Sequence, residues 1–243
     1  GGLIAALRRE GGRVGGMKPV ETGVPGLAGR WPDNAEGAQP HDGIWLASAA
    51  GWEAPLTDVV PIAYAEPLAP YAAASRSGVP VFRVAILDAY RRLAHRFETI
   101  LVEGAGGLSV QLSREIDTAD LVRELRLPLV VVARPGLGTL NHSFLTWNYA
   151  TSKGLEVVGF VFNGSDPVDL DDVSVEDNAR LLTERTGVPV LGTIPFQDTP
   201  LKSPRAAADL VLAHLDLEPI RAALRRQQVE SAGSAISAES GSP

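Results

Sequence analysis

The chain has 243 residues, 45% of them hydrophobic, with no cysteine and a formal net charge of −7. That length and apolar content allow a large α/β core, and the lack of cysteine excludes disulfides, thiolate metal sites and a cysteine nucleophile. The acidic balance argues against the broad basic surface on which nucleic-acid binding depends.

Leu3, Ile4 and Leu7, backed by Arg8, Arg9 and Glu10, predict a helix over about 1–10 that stops at Gly11-Gly12. No Ser, Thr, Asp or Asn caps it, and the only methionine is Met17, so further sequence is expected upstream of Gly1. Arg13–Val20 reads as a strand. Residues 23–80 are rich in Pro, Gly and Ala and read as irregular, with short helices around Gly43–Ala50 and Pro70–Ser77. Val84–Phe97 is an amphipathic helix with Ile86, Leu87, Tyr90, Leu93 and Ala94 on one face.

The apolar run Thr99–Val102 reads as a buried strand ending at Glu103 and a Gly-rich turn, Gly104 to Gly107. A helix over Thr118–Arg126 and a strand over Pro128–Ala133 follow. Leu140–Lys153 is a helix closed by Gly154, Glu156–Phe162 a strand, Val175–Thr186 a helix closed by Gly187, and Val188–Ile194 the last strand. Ala206–Leu215 and Glu218–Gln228 are terminal helices. Residues 1–228 are expected to form one domain, and 229–243, Ser/Ala/Gly/Glu-rich from Ser231, a disordered tail. The strands at 128–133 and 156–162 are continuously apolar, as in strands covered on both faces. Strand–helix alternation then predicts an α/β fold: a doubly wound, mostly parallel sheet with helices on both faces. No apolar run spans a bilayer and no secretory signal is visible, so a cytoplasmic protein with no membrane partner is expected.

In an open α/β sheet, ligands sit beyond the carboxyl ends of the strands. Lys18, at such an end, could neutralise a carboxylate, carbamate or phosphate, although a surface lysine is the commoner case. Asp42 before Gly43 reads as a helix N-cap first and a magnesium ligand second. Glu103, after an apolar run, needs a cationic partner if buried, and a metal and a salt bridge are about equally good readings. Gly104, Gly106 and Gly107 can take positive φ and admit a ligand to the backbone. Gly136-Leu-Gly138-Thr-Leu-Asn141 nearly matches a dinucleotide fingerprint, but Asn141 replaces the third glycine and no acid ends the next strand, so a nicotinamide site is not expected. A helix N-terminus there still suits a carboxylate. Asn163 before Gly164 suits an adenine edge or simply a turn. No HExxH or GxSxG motif and no Cys/His cluster supports a zinc or serine hydrolase.

Taken in order, Lys18-Pro-Val-Glu-Thr-Gly23, Asp42-Gly43, Ala65-Glu-Pro-Leu-Ala-Pro70, Val102-Glu-Gly-Ala-Gly-Gly107, Gly138-Thr-Leu-Asn-His142 and Phe162-Asn-Gly164 resemble the dethiobiotin synthetase family. These are ATP-dependent, P-loop NTPase-like enzymes that close the ureido ring in biotin synthesis. The resemblance runs from residue 1 to about 215. Members open with a strand and a Gly-rich P-loop ending Gly-Lys-Thr, then a helix, and Gly1 falls inside that helix. The first strand and the phosphate cradle are thus expected upstream, and nucleotide binding is expected to depend on them.

The resemblance implies that Lys18 contacts the substrate carbamate and the transferred phosphate, and that Thr22 binds at the diamine site. It implies Asp42 and Glu103 as Mg²⁺ ligands beside ATP, with Gly104, Gly106 and Gly107 lining the nucleotide site. The backbone of Gly138, Thr139, Leu140 and Asn141 would receive the substrate's carboxylate from the partner subunit of a homodimer. Asn163 would read adenine with Pro195, Phe196, Gln197 and Asp198. The implied reaction joins CO₂ to 7,8-diaminononanoate as a carbamate, activates it with ATP and closes the ring to dethiobiotin, ADP and phosphate. The alternatives weighed are a cobyrinate or cobyrate synthase-like amide-forming enzyme, a ParA-like ATP switch, and a degenerate binding protein. The first wants a glutaminase domain with a Cys nucleophile, and the second a basic or apolar partner surface.

Overall fold

The computed structural model describes residues 1–30, 39–164 and 174–239. Residues 31–38 of the stretch expected to be irregular, and 240–243 of the expected tail, lie outside the described residues. The chain divides into two compact units: residues 1–127, 152–155 and 198–213 form one, and 128–151, 156–197 and 214–243 the other. Mixed α/β structure with parallel pairing runs through both.

In the first unit, helix α1 (Gly2–Arg9) leads into strand β1 (Val14–Met17). The expected strand 13–20 is broken at Lys18-Pro19, and β2 (Val20–Thr22) continues it in a different sheet. The break is physical: Pro19 has no N–H to give to a ladder, and the Lys18 N–H turns aside to the carbonyl of Val59, 2.7 Å away. β1 pairs in parallel with β5 (Thr99–Val102), Val14 opposite Thr99 and Met17 opposite Val102. β2 pairs in parallel with β4 (Ile62–Tyr64), which pairs antiparallel with β3 (Ala28–Arg30). β3 and β4 lie in the stretch expected to be irregular; at three residues each they are too short to carry a periodic signal.

Helices α2 (His41–Ala49), α3 (Leu56–Val59), α4 (Pro70–Ser77), α5 (Arg83–Ala94) and α6 (Thr118–Leu125) complete the sequence up to Leu127. α1, α2 and α3 pack on β1, and α5 packs on β5 and α3. The core is apolar and closed: Ile4, Met17, Val20, Val59, Ile62, Tyr64, Ile86 and Leu93 are all under 2% exposed. Gly16 matters to the site, because a Cβ there would stand 2.6 Å from Ile4 Cδ1 and 3.0 Å from Leu46 Cβ. Its absence lets α1 and α2 seat directly on β1.

In the second unit, β6 (Leu129–Ala133), β7 (Val157–Asn163) and β8 (Val190–Ile194) form a parallel sheet in that order. α7 (Thr139–Ser152) and α8 (Ser174–Thr186) follow β6 and β7. Phe160, Phe162 and Leu182 are the centre of its core, with Val131, Leu140, Trp147 and Val190 around them. Full cover was expected for the strands at 128–133 and 156–162. β7 has it over Val158–Phe162, but β6 is half-buried with Val132 63% exposed. Within this sheet β7 is central and β6 is at the edge, so an apolar run alone does not tell the two apart.

Helix α9 (Pro204–His214) belongs mostly to the first unit. Helix α10 runs Glu218–Glu239, beyond the Gln228 end expected from sequence and into the stretch expected to be disordered. Three Ala and two Glu in residues 229–239 favour the helix, against Gly233 and three Ser. Among the described residues no helix is long and apolar enough to cross a membrane.

Candidate functional site

The register of β1 and β5 builds the first part of a polar cluster. Met17 lies opposite Val102, so the residues just past the two strand ends, Lys18 and Glu103, emerge side by side. The Glu103 N–H donates to the Met17 carbonyl at 2.8 Å and locks the pair. Lys18 Nζ lies 2.8 Å from Glu103 Oε1 and 2.8 Å from Asp42 Oδ2 of α2. The lysine side chain is only 8% exposed, while Asp42 and Glu103 are 51% and 50% exposed. The two acids therefore keep one side in water and turn the other to a buried ammonium. Burial alone would lower the Lys18 pKa, but the hydrogen bonds and charges of Asp42 and Glu103 outweigh it and raise it above the ordinary lysine value. Lys18 is a cation at neutral pH.

Asp42 does not cap α2. The N-cap position is Pro40, which makes no side-chain cap bond, and Asp42 sits in the first turn. Its carboxylate, released from capping, reaches Lys18. The capping is done from another strand by Glu21 of β2: the Asp42 N–H donates to Glu21 Oε1 and the Gly43 N–H to Glu21 Oε2, each at 3.0 Å. Glu21 is 5% exposed. Burial pushes its pKa up, against the downward pull of the two N–H donors. Sequence pattern assigns Glu21 no role: it is flanked by Val20, Thr22 and Gly23, and its partners are backbone groups 21 and 22 residues away.

Gly1, ahead of α1, lies close enough to the same cluster for Glu103, Asp42 and Lys18 to act on it. Thr22 ends β2 opposite Tyr64, partly exposed, and Gly23 turns the chain at φ +83° against Pro67. Of the three turn glycines after Glu103, only Gly106 takes positive φ (+80°). Gly104 does not, and is small because Thr118 Cγ2 lies 3.3 Å from where its Cβ would be; Gly107 is exposed and open.

In the second unit, Gly138 (φ +92°) opens α7. Thr139 is buried and shares a 3.2 Å hydrogen bond with Ser143; Leu140 is partly buried in the core and Asn141 exposed. The preceding turn is braced by Asn178 of α8, buried to 4% exposure, whose Nδ2 donates to the Pro135 carbonyl at 2.8 Å. Nothing in the sequence marks Asn178, because its partner is a backbone atom 43 residues away. Asn163 is exposed at the end of β7 and pairs in register with Ile194 at the end of β8. Pro195, Phe196 and Gln197 therefore leave the sheet at the same end as Asn163, and Gln197 Nε2 donates back to the carbonyls of Pro195 and Phe196 at 3.1 Å. Asp198 is exposed and falls in the first unit.

Among the described residues no group of three His, Cys, Asp or Glu side chains is placed to hold a metal. The donors near Lys18 are two half-exposed carboxylates. They fit Mg²⁺, which binds through one or two carboxylates and takes its other oxygens from water and phosphate. Charge agrees: Lys18, Asp42 and Glu103 sum to −1, and a divalent ion would turn the cluster to +1, a sign that attracts phosphate rather than repelling it.

Residues 1–204 match the AAA domain family. The chain is similar to the ATP-dependent dethiobiotin synthetase BioD of Aquifex aeolicus (strain VF5), 37% identical over 199 residues, 82% of this chain and 83% of that protein. It is also similar to the protein of the same name from Bacillus cereus (strain ATCC 14579), 39% identical over 196 residues, 80% of this chain and 76% of that one. Among solved structures it matches the cell division ATPase MinD of Pyrococcus furiosus at 16% identity, with a TM-score of 0.41 over 87% of this chain and 89% of that one.

Proposed function

The chain belongs to the ATP-dependent dethiobiotin synthetase family, and from that membership we propose that it joins CO₂ to 7,8-diaminononanoate and closes the ring to dethiobiotin at the expense of ATP. The observation that carries this reading is the meeting of Lys18, Asp42 and Glu103 at 2.8 Å contacts. A carbamate forms when CO₂ adds to one amine, which gives up a proton. Its oxygen then takes the γ-phosphoryl group of ATP, and the second amine attacks the carbonyl carbon and expels phosphate. Each step gathers negative charge on oxygen.

Lys18 meets that charge. Its raised pKa keeps it protonated, its burial limits screening by water, and its two carboxylates fix where the ammonium points. Asp42 and Glu103 would hold Mg²⁺, which when bound neutralises phosphate oxygens. Thr22 serves the diamine, and Gly104, Gly106 and Gly107 leave the nucleotide side of Glu103 open. We assign Asn163 with Pro195, Phe196 and Gln197 to adenine.

The Gly138–Asn141 backbone receives the substrate's carboxylate from a second subunit of a homodimer. Support for a second copy comes from the apolar surface beside this turn, where Leu137 is 83% exposed and Leu145 56%.

The test is product formation. The full-length gene product, given 7,8-diaminononanoate, bicarbonate, ATP and Mg²⁺, yields dethiobiotin by mass spectrometry. ADP release then depends on both the diamine and CO₂. ADP release indifferent to both, with no dethiobiotin, defeats the proposal.

A further inference from the structure

Among the described residues no cationic side chain forms an ion pair with Glu21, although the charge of Lys18 is felt there; Glu21 is 5% exposed and both of its carboxylate oxygens are engaged by backbone N–H groups. Its two donors are consecutive backbone N–H groups in the first turn of α2, the groups a helix leaves without intrahelical partners. An N-cap residue normally satisfies them from within the chain segment, but Pro40 offers no side-chain acceptor. The carboxylate of a neighbouring strand takes its place and also complements the positive end of the helix dipole.

One consequence bears on the site. Lys18 and Glu21 are three residues apart, on either side of the break at Pro19, and both hold Asp42. Lys18 holds its carboxylate at 2.8 Å and Glu21 holds its backbone N–H at 3.0 Å. The backbone of Asp42 is thereby tied to β2 independently of its side chain. Gly43 permits the grip, since a Cβ there would lie 2.2 Å from Val60 Cγ2 and 3.4 Å from Glu21 Oε2.

We propose that Glu21 is a positioning residue: by clamping the first turn of α2 it sets the Asp42 carboxylate where a divalent cation can use it. This rests on the reading of Asp42 as a cation ligand given above. Groups behind a metal's ligands fix the ligands' orientation, and their loss weakens metal binding by about 10–100-fold; Glu21 would do so through the Asp42 backbone.

The experiment uses Mn²⁺ as the probe, its binding to the full-length gene product followed by electron paramagnetic resonance with ADP present. Amide hydrogen exchange at Asp42 and Gly43 is measured alongside. In Glu21→Ala the two amides exchange faster and Mn²⁺ affinity falls at least about tenfold, within the range such partners command. Glu21→Gln, which keeps one acceptor and turns an amide donor toward the other N–H, gives a smaller loss in the same direction and serves if the alanine variant does not fold. The double variant with Asp42→Asn binds Mn²⁺ no more weakly than Asp42→Asn alone, which a general loss of stability would not produce.

Unchanged Mn²⁺ affinity in both Glu21 variants, with Asp42→Asn impaired, overturns the positioning role and leaves the cation reading standing. Unchanged affinity in Asp42→Asn as well removes the cation reading and the proposal together.

Discussion

Replacing Lys18 by alanine tests the electrostatics of the cluster most directly. Asp42 Oδ2 and Glu103 Oε1 each lie 2.8 Å from Nζ, so they are no more than about 5.6 Å apart. Without the ammonium they repel by about 3 kcal/mol at an effective dielectric of 20, and by about 0.7 kcal/mol in bulk water. Both acids are half exposed and rehydrate, which brings the expected cost of Lys18→Ala to about 1–2 kcal/mol. A total stability of about 5–15 kcal/mol absorbs that loss, so the variant stays folded. The raised pKa of Lys18 makes its own contribution complete below the ordinary lysine value, to be lost only as pH rises through the higher folded value. Urea unfolding of wild type and variant at pH 7 measures the cost. Turnover falls much further than stability, by about 10²–10³-fold, the loss typical when one preorganised donor to a developing oxyanion is removed. Turnover within about threefold of wild type refutes the role of the ammonium, and an unchanged urea midpoint refutes the repulsion argument.

Asp120 supplies half of a capping box with Asp117 at the start of α6 and pairs with Lys153 at 3.1 Å. Burial pushes its pKa up, but the Asp117 N–H and Lys153 more than reverse this, so it lies below the ordinary 3.8. Its contribution is therefore present above that value and lost as pH falls through the lower folded one, and Asp120→Ala costs about 1 kcal/mol near neutrality in urea titrations, with the gap closing in strong acid. Asn178→Ala removes the brace on the Pro135 carbonyl and is expected to cost about 1–3 kcal/mol and to raise KM for the diamine more than it lowers kcat; an unchanged KM separates Asn178 from the substrate's carboxylate. Phe160→Ala empties the centre of the β7 core and is expected to cost about 3–5 kcal/mol by thermal unfolding, whereas a cost under about 1 kcal/mol contradicts its place there. Gly192→Ala puts a Cβ 2.0 Å from the His214 carbonyl at a φ of +143° and is expected to lower the melting temperature by several degrees, about what a 1–3 kcal/mol strain gives; an unshifted melting curve shows that the approach is not close.

Local pattern made much of this molecule legible without coordinates. The helices at α1, α4, α5, α7 and α8 and the strands β5 to β8 follow from 3.6-residue spacing, apolar runs and Gly stops, all carried by neighbouring residues. Glu103, an acid after an apolar run, stood out on local pattern; Lys18 and Asp42 read locally as a surface lysine and a helix cap, and only the ordered family resemblance singled them out. Their meeting was not legible locally. It depends on a parallel register between residues 14–17 and 99–102, and the Lys18–Glu103 bond spans 85 positions. Local spacing carries no information about that register. The break at Lys18-Pro19, the three-residue strands β2 to β4 and the half-exposed β6 escaped for the same reason: each is set by which strand lies alongside. Asp42 shows it most sharply. Its sequence context reads as a cap, and only the arrival of Glu21 from β2 frees its carboxylate for Lys18. The sequence by itself determined which groups carry charge and which segments coil or extend. Tertiary structure decided which of those charges share a site, because an ion pair a few ångströms long is fixed by the packing of distant segments and not by the order of residues along one of them.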